Sequence, residues 1–310
     1  MRTTNIHVEM NGNMFAKFAR PSAPSAQIEP RTAPGPTTSP PPSKKRKREH
    51  SASEDPSSTS TLLPTKKADR LAALDLLVDV RRGGTAPVDL YGTDRLIDSS
   101  KSPKSQRLHA LVGALLSTQT KDEITAAAMH RLHKHDGGLT IDSLLAMSIA
   151  DLDALLTPVG FHLKKAEQLR SIAATLRASY DDDVPRSVQA LTGLPGIGPK
   201  VARLALLVAW DKVDGIIVDT HVHRIAGRLG WTRGAKDAEA TRRELESWVP
   251  RARWGDMSKL MIGFGQTTCT AVKPKCSTCP LAMHCPYAVS KATATQATDK
   301  TQNRMRRNDV

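Results

Sequence analysis

The chain has 310 residues, a formal charge of +14 and a pI near 9.8. That length holds one large domain or two smaller ones, and the charge calls for an acidic partner. No apolar run is long enough to cross a bilayer, and Met1–Arg20 lacks the apolar core of a secretory signal, so neither a membrane-spanning nor a secreted protein is expected.

The charge is spread along the chain. Residues 1–64 hold nine Lys/Arg against five Asp/Glu, residues 288–310 hold five against two, and the stretch between holds 31 against 24. The middle is therefore basic in its own right, which suits either nucleic acid or an anionic membrane surface.

Ten of the twenty prolines fall in residues 1–64, among Ser, Thr and Ala. Such a segment buries too little apolar surface to offset its ordering entropy, so residues 1–67 are expected to be disordered. Within them, "PPPSKKRKREH" carries the basic run Lys44, Lys45, Arg46, Lys47 and Arg48, which reads as an address for a nuclear import receptor. "MFAKFARPSAPSAQ", from Met14, has no acidic residue before Glu29 and has the composition of a mitochondrial transit peptide. A tail from 288 to 310 is expected to be disordered as well.

From Ala68 the pattern becomes helical. "RLHALVGALLS" sets Leu108, Leu111, Val112, Leu115 and Leu116 at helical spacing, which predicts one apolar stripe. Thr120 to Glu123 has the form of a capping box opening the next helix, with Gly137-Gly138 closing it. "SIADLDALLTPVG" repeats this grammar with Ser148 as cap and Gly160 as stop, and "KKAEQLRSIAATLRASY" is another amphipathic helix. No strand alternation is visible, so the fold class is all-α.

"TGLPGIGPKVA" follows. A helix ending at Gly193 and one beginning at Pro199 enclose Leu194, Pro195, Gly196, Ile197 and Gly198, and the two glycines permit backbone angles that other residues avoid. Unpartnered N–H groups there would form a pocket for one backbone phosphate, a contact that positions without reading sequence. This is the helix-hairpin-helix pattern. Lys200, at the start of the second helix, sits where the helix dipole disfavours positive charge; that placement suits a nucleophilic amine or a phosphate-binding lysine.

"GIIVDTHVHR" places Asp219 after three apolar residues and before a helix, as an N-cap, a carboxylate on a buried framework, or both. His221, His223 and Arg224 read as phosphate contacts. Cys269, Cys276, Cys279 and Cys285 fall within seventeen residues as C-x6-C-x2-C-x5-C. Four thiolates so close suit one metal centre, and the spacing leaves zinc and an iron–sulfur cluster open. Lys273 and Lys275, in the first loop of that cluster, lie where they could reach a DNA backbone.

Together "LLSTQTKD", "PVGFHLKKAE", "LPGIGPKVA", "VDTHVHR" and the four-cysteine loop resemble the endonuclease III family of helix-hairpin-helix DNA glycosylases in its eukaryotic form, over roughly residues 68–287. The resemblance implies a bifunctional N-glycosylase and AP lyase of base excision repair that removes oxidised pyrimidines from damaged duplex DNA. Lys200 would attack C1′ of the damaged nucleotide and Asp219 would assist base departure and later proton transfers. The resulting Schiff base would allow β-elimination. It also implies that the four cysteines hold a [4Fe–4S] cluster with a structural role. Gln119 and Phe161 would fill the gap left when a base is flipped out; an aliphatic residue is usual in bacterial members where this chain has Phe161.

The implied architecture has two all-α lobes. A helical barrel covers 101–212, and a cluster lobe is assembled from 68–100 and 213–287. A monomer with no membrane association is expected, in the nucleus and also in mitochondria if the Met14 signal is used. Two rivals share these motifs: a monofunctional glycosylase, against which Lys200 argues, and a non-catalytic iron–sulfur DNA-binding protein, which would not require the Lys200/Asp219 pair.

Overall fold

The computed structural model describes residues 66–292. The basic run Lys44–Arg48, the stretch from Met14 and the chain beyond 292 lie outside the described residues. Those described are helical, with no strand among them.

Two apolar cores organise the helices. The first draws on α3 (Pro103–Leu116), α4 (Asp122–Lys134), α5 (Ile141–Ala146), α6 (Ile149–Leu156), α7 (His162–Ser179), α8 (Val188–Thr192) and α9 (Pro199–Trp210). The second joins α1 (Lys67–Val80) to α10 (Thr220–Arg228), α11 (Ala238–Glu246), α12 (Trp254–Thr267) and the cysteine loop. The short α2 (Pro87–Tyr91) packs on both α4 and α12, so it sits at the seam between the cores.

Local chemistry explains the boundaries. Side chains of Ser102, Thr140, Ser148, Ser187, Asp219 and Asp237 each accept a hydrogen bond from the backbone N–H three residues on, and Pro103 and Pro199 open their helices where no N–H is needed. The expected Ser148 cap is present. The expected Thr120 capping box is not: α4 starts at Asp122, and the Thr120 hydroxyl donates to the Thr118 carbonyl. Gly160 lies past the end of α6, and its N–H donates to Thr120 Oγ1.

The single stripe expected on α3 also needs correcting. Every residue from Leu108 to Leu116 is buried, including His109, Ala110, Gly113 and Ala114. α3 runs through the middle of the first lobe with α9 along one side, so its small residues are packing surface too. At the other end, residues 286–292 are helical and Ala288 is buried in the second core; ordered chain thus continues past 287.

Candidate active site

A cavity of about 800 Å³ opens between the two cores. Lys200 from the first turn of α9, Asp219 and His221 at the start of α10, Gln119 from the α3–α4 connection and Asp122 at the start of α4 share its wall. Residues far apart in sequence reach one site because Lys200 begins the helix after the hairpin while Asp219 ends an extended run. That run is anchored: Ile216, Ile217 and Val218 are buried, and the Ile216 N–H donates to Glu246 Oε1 at 2.8 Å.

Asp219 caps α10, its Oδ1 accepting from the Val222 N–H at 2.9 Å. The side chain is thereby fixed, leaving carboxylate charge facing the cavity. Burial lowers the Lys200 pKa from the ordinary lysine value, opposed by attraction to Asp219 and then Asp122. Because burial prevails, the neutral amine is reached at lower pH than for an exposed lysine.

Asp122 is a second carboxylate in the cavity. Burial raises its pKa, with the hydrogen bond from Gln266 acting the other way. Gln266 Nε2 donates to Asp122 Oδ2 at 2.7 Å while its Oε1 accepts from the Val88 N–H at 3.0 Å, so one side chain of α12 ties α4 to α2 across the seam. Burial also lowers the His221 pKa, partly offset by Asp219. Arg224 Nη2 donates to His221 Nδ1 at 3.1 Å, so that nitrogen carries no proton. His221 therefore presents a neutral ring to the cavity, in place of the cation expected for a phosphate contact.

The hairpin stands beside this cavity. Leu194 and Ile197 point into the first core, so their contribution to any outer contact is limited to backbone. Gly196 has φ +77° and lies against the Gln168 side chain, which explains the glycine. Gly198 differs from expectation: its φ of −87° suits any residue, and a Cβ there would meet nothing within 4 Å. Its side faces open space. Among the described residues, the N–H groups of Gly196, Gly198, Lys200 and Val201 have no acceptor within the protein. An anion can therefore approach these donors at the helix N-terminus.

Gln119 and Phe161 are both exposed, and both lie in the left-handed region, at φ +51° and +57°. Their loops touch: a Cβ on Gly160 would strike the Gln119 carbonyl oxygen. Phe161 is 64% exposed, unusual for so large an apolar side chain.

In the second lobe none of the four cysteines is joined in a disulfide. Burial raises the Cys279 and Cys285 pKa values, and each is raised further by neighbouring cysteines, Cys269 among them in both cases. All four cysteines lie in or against the second core, and among the described residues no three metal-binding side chains converge on a single ion, so the donor set suits a multi-iron cluster better than one metal ion. Arg224 Nη2 donates to the Cys269 carbonyl at 3.0 Å, and Arg228 Nη1 donates to Cys269 Sγ at 3.4 Å and to the Thr270 carbonyl at 2.7 Å. Arg224 is therefore committed to the cysteine loop, while His223 Nδ1 pairs with Thr241 Oγ1 at 2.7 Å; neither has the free phosphate-facing position expected of it. Lys273 and Lys275 are exposed on the loop.

Asp122, Gln266, Lys165 and Arg228 were not singled out in the sequence. Asp122 and Lys165 stand inside the stretches "LLSTQTKD" and "PVGFHLKKAE", which was the available signal; Gln266 and Arg228 lie on helices with nothing local to mark them.

Residues 112–251 match the model of the HhH-GPD superfamily of base excision DNA repair proteins, and residues 269–285 match the iron–sulfur binding domain of endonuclease III. The chain is 48% identical over 216 residues to endonuclease III-like protein 1 of Bos taurus, covering 69% of this chain and 70% of that protein. Two solved structures align at 26% identity: a non-covalent endonuclease III–DNA complex (TM-score 0.64, covering 74% of this chain and 99% of that one) and a trapped endonuclease III–DNA covalent intermediate (TM-score 0.63, 73% and 99%).

Proposed function

This chain belongs to the endonuclease III family of base excision DNA repair proteins, and from that premise we propose that Lys200 is its nucleophile and Asp219 its catalytic carboxylate. The family's activity makes the protein a DNA glycosylase and AP lyase, and it carries a [4Fe–4S] cluster. The assignment of roles rests above all on one observation: a lysine with a burial-lowered pKa and a capped, oriented carboxylate share one cavity at the seam of two lobes.

The substrate is a nucleotide bearing an oxidised pyrimidine in duplex DNA. The neutral Lys200 amine attacks C1′ as the C1′–N bond breaks and its electron pair leaves with the base. Asp219 stabilises the positive charge that develops at the sugar and accepts the proton shed by the attacking nitrogen. Ring opening gives a Schiff base, which makes the C2′ proton acidic; loss of that proton and of the 3′ phosphate breaks the strand, and water then releases the lysine. The covalent intermediate trapped for a relative aligned over most of its length supports this route.

The hairpin donors of Gly196, Gly198, Lys200 and Val201 take one backbone phosphate, with Gly198 leaving its approach open. Gln119 and Phe161 fill the space vacated by the flipped nucleotide, and His221 contacts substrate as a neutral donor. Cys269, Cys276, Cys279 and Cys285 hold the cluster, whose four iron–thiolate bonds cross-link the loop that displays Lys273 and Lys275. The two apolar cores support a division into a barrel over 101–212 and a cluster lobe built from the flanking segments. The Lys44–Arg48 run would deliver the protein to the nucleus; alanines there should leave a fluorescent fusion in the cytoplasm.

Borohydride trapping tests the chemistry. The full-length protein with a duplex containing one thymine glycol should form a covalent adduct, and Lys200→Ala should bind without forming it. Base release with no adduct would point to the monofunctional route and overturn the assignment of Lys200.

A further inference from the structure

Lys165, in the first turn of α7, is 3% exposed, although lysine is seldom buried. No carboxylate accompanies it. Its Nζ donates to the Leu116 carbonyl at 3.0 Å, the Thr118 carbonyl at 2.6 Å and Thr120 Oγ1 at 3.3 Å, three acceptors for three N–H groups, all uncharged. Burying an ammonium against neutral oxygens alone is expensive, and the expense falls on one place: the end of α3 and the connection to α4.

The oxygens it engages belong to that connection. Ser117 N–H bonds the Gly113 carbonyl, Ser117 Oγ bonds Ala114, and Thr118 bonds Leu115 through both N–H and hydroxyl. Leu116 would remain a bare carbonyl at the negative end of the helix, and the Thr118 carbonyl would keep only the Thr120 hydroxyl; Lys165 takes both. Thr120 then extends the network, accepting the Gly160 N–H at 3.1 Å. A single cluster of hydrogen bonds thus ties residues 116–120 to the turn before α7.

Those two segments carry Gln119 and Phe161, each an exposed residue in left-handed backbone. Such conformations are unfavourable for residues other than glycine and persist only where surrounding contacts over-determine them. The two are interlocked, since Gly160 has no room for a side chain against the Gln119 carbonyl.

We propose that Lys165 is a positioning residue that braces Gln119 and Phe161 into one rigid two-pronged unit, so that both prongs enter the duplex together when a nucleotide is flipped. The proposal rests on the reading of Gln119 and Phe161 as the residues that fill the vacated space. Lys165 touches neither substrate nor nucleophile; it acts through the loop. Burial lowers its pKa to about 8, with repulsion from Lys200 adding to the effect, so the brace is weakest in alkaline solution.

The test uses full-length, cluster-loaded protein and the variants Lys165→Met, Thr120→Val, Gln119→Ala and Phe161→Ala. Three quantities are measured: fluorescence of 2-aminopurine placed beside a thymine glycol, base release from that duplex, and borohydride trapping at an abasic site in single-stranded DNA, where no base must be extruded. Lys165→Met should lower the fluorescence change and duplex base release about tenfold or more, the loss expected for a charge-assisted hydrogen bond. Single-strand trapping at a pH above the Lys200 titration should be unchanged. Thr120→Val should show a weaker form of the same split, and carries the test if Lys165→Met does not fold. Duplex base release near the unmodified level in both bracing variants, with Gln119→Ala or Phe161→Ala impaired, would overturn the brace and keep the two-prong reading. Normal behaviour of Gln119→Ala and Phe161→Ala would overturn that reading and the brace with it. Loss of single-strand trapping in Lys165→Met at a pH above the Lys200 titration would assign Lys165 to the nucleophile's site and also overturn the proposal.

Discussion

Asp219 is asked to do two things, and two substitutions separate them. Its Oδ1 caps α10 through the Val222 N–H at 2.9 Å, and its charge faces Lys200 in the cavity. Asparagine caps a helix about as well as aspartate but carries no charge; alanine does neither. Asp219→Asn should therefore melt close to the unmodified protein, while Asp219→Ala should lose about 1 kcal/mol, or roughly 2–4 °C in Tm for a protein of this size. Base release should fall in both variants by about 10²–10⁴-fold, the range for a positioned proton-transfer group. That loss cannot come from a shortage of free amine. Asp219 raises the Lys200 pKa, so removing its charge makes the neutral amine more abundant at any given pH. The assays are thermal melting and single-turnover base release on a thymine glycol duplex. Asp219→Asn with activity within a few-fold of normal would refute the catalytic role, and equal melting temperatures for the two variants would refute the cap.

Lys200 should give a trapping rate that rises with pH through an apparent pKa below that of an ordinary lysine, because burial lowers the folded-state value and the neutral form is the nucleophile; a profile flat down to acid pH would contradict this. Gly196→Ala, at φ +77°, should lose on the order of 1 kcal/mol or more of stability, whereas Gly198→Ala should melt normally yet bind duplex more weakly, as calorimetry and titration would report. His109 is buried, and desolvation pushes its pKa down to about 4, with His133 adding to the shift. The unfolded chain then binds the extra proton first, so stability should fall by about 3 kcal/mol as pH drops from roughly 6.5 to 4, a slope that His109→Gln should lack in urea titrations. Lys273→Ala and Lys275→Ala should each reduce the slope of log affinity against log salt by about 1 if both neutralise phosphates, and leave it unchanged otherwise.

What the sequence discloses follows from the range of the forces involved. The caps at Ser148 and Asp219, the hairpin turn and the buried run before Asp219 depend on neighbours a few residues away, and each is legible. Lys165 is not, because a lysine in an amphipathic helix reads as solvent-facing, and the carbonyls that hold it belong to residues 49 and 47 positions earlier. The Thr120 hydroxyl fits a capping box by spacing, yet it turns back to the Thr118 carbonyl, where it also meets Lys165 and Gly160. α3 shows only its leucine stripe, since Ala110, Gly113 and Ala114 reveal themselves as interior residues once helices approach from every side. The cysteine spacing signalled a metal site without choosing the metal; that choice came from likeness to endonuclease III.

The distribution of partners along α10 ties the cysteine loop to the carboxylate proposed as catalytic. The helix has nine residues, and Asp219 stands at its head with His221 in the first turn. Its far half is fastened to the cysteine loop, with Arg224 on the Cys269 carbonyl and Arg228 on Cys269 Sγ and the carbonyls of Thr270 and Ala271. Arg224 also bonds His221 Nδ1, so one guanidinium touches both the loop and the cavity wall. A helix this short is marginal alone, so its place and stability depend on what packs against it and grips it. With the four cysteines holding the cluster, as proposed, the loop carbonyls that the arginines grip would be fixed, and the arginines in turn would fix the axis on which Asp219 is mounted. The cluster would thereby constrain Asp219, the proposed catalytic carboxylate, through packing and hydrogen bonds alone, from a lobe that shares no apolar core with Lys200.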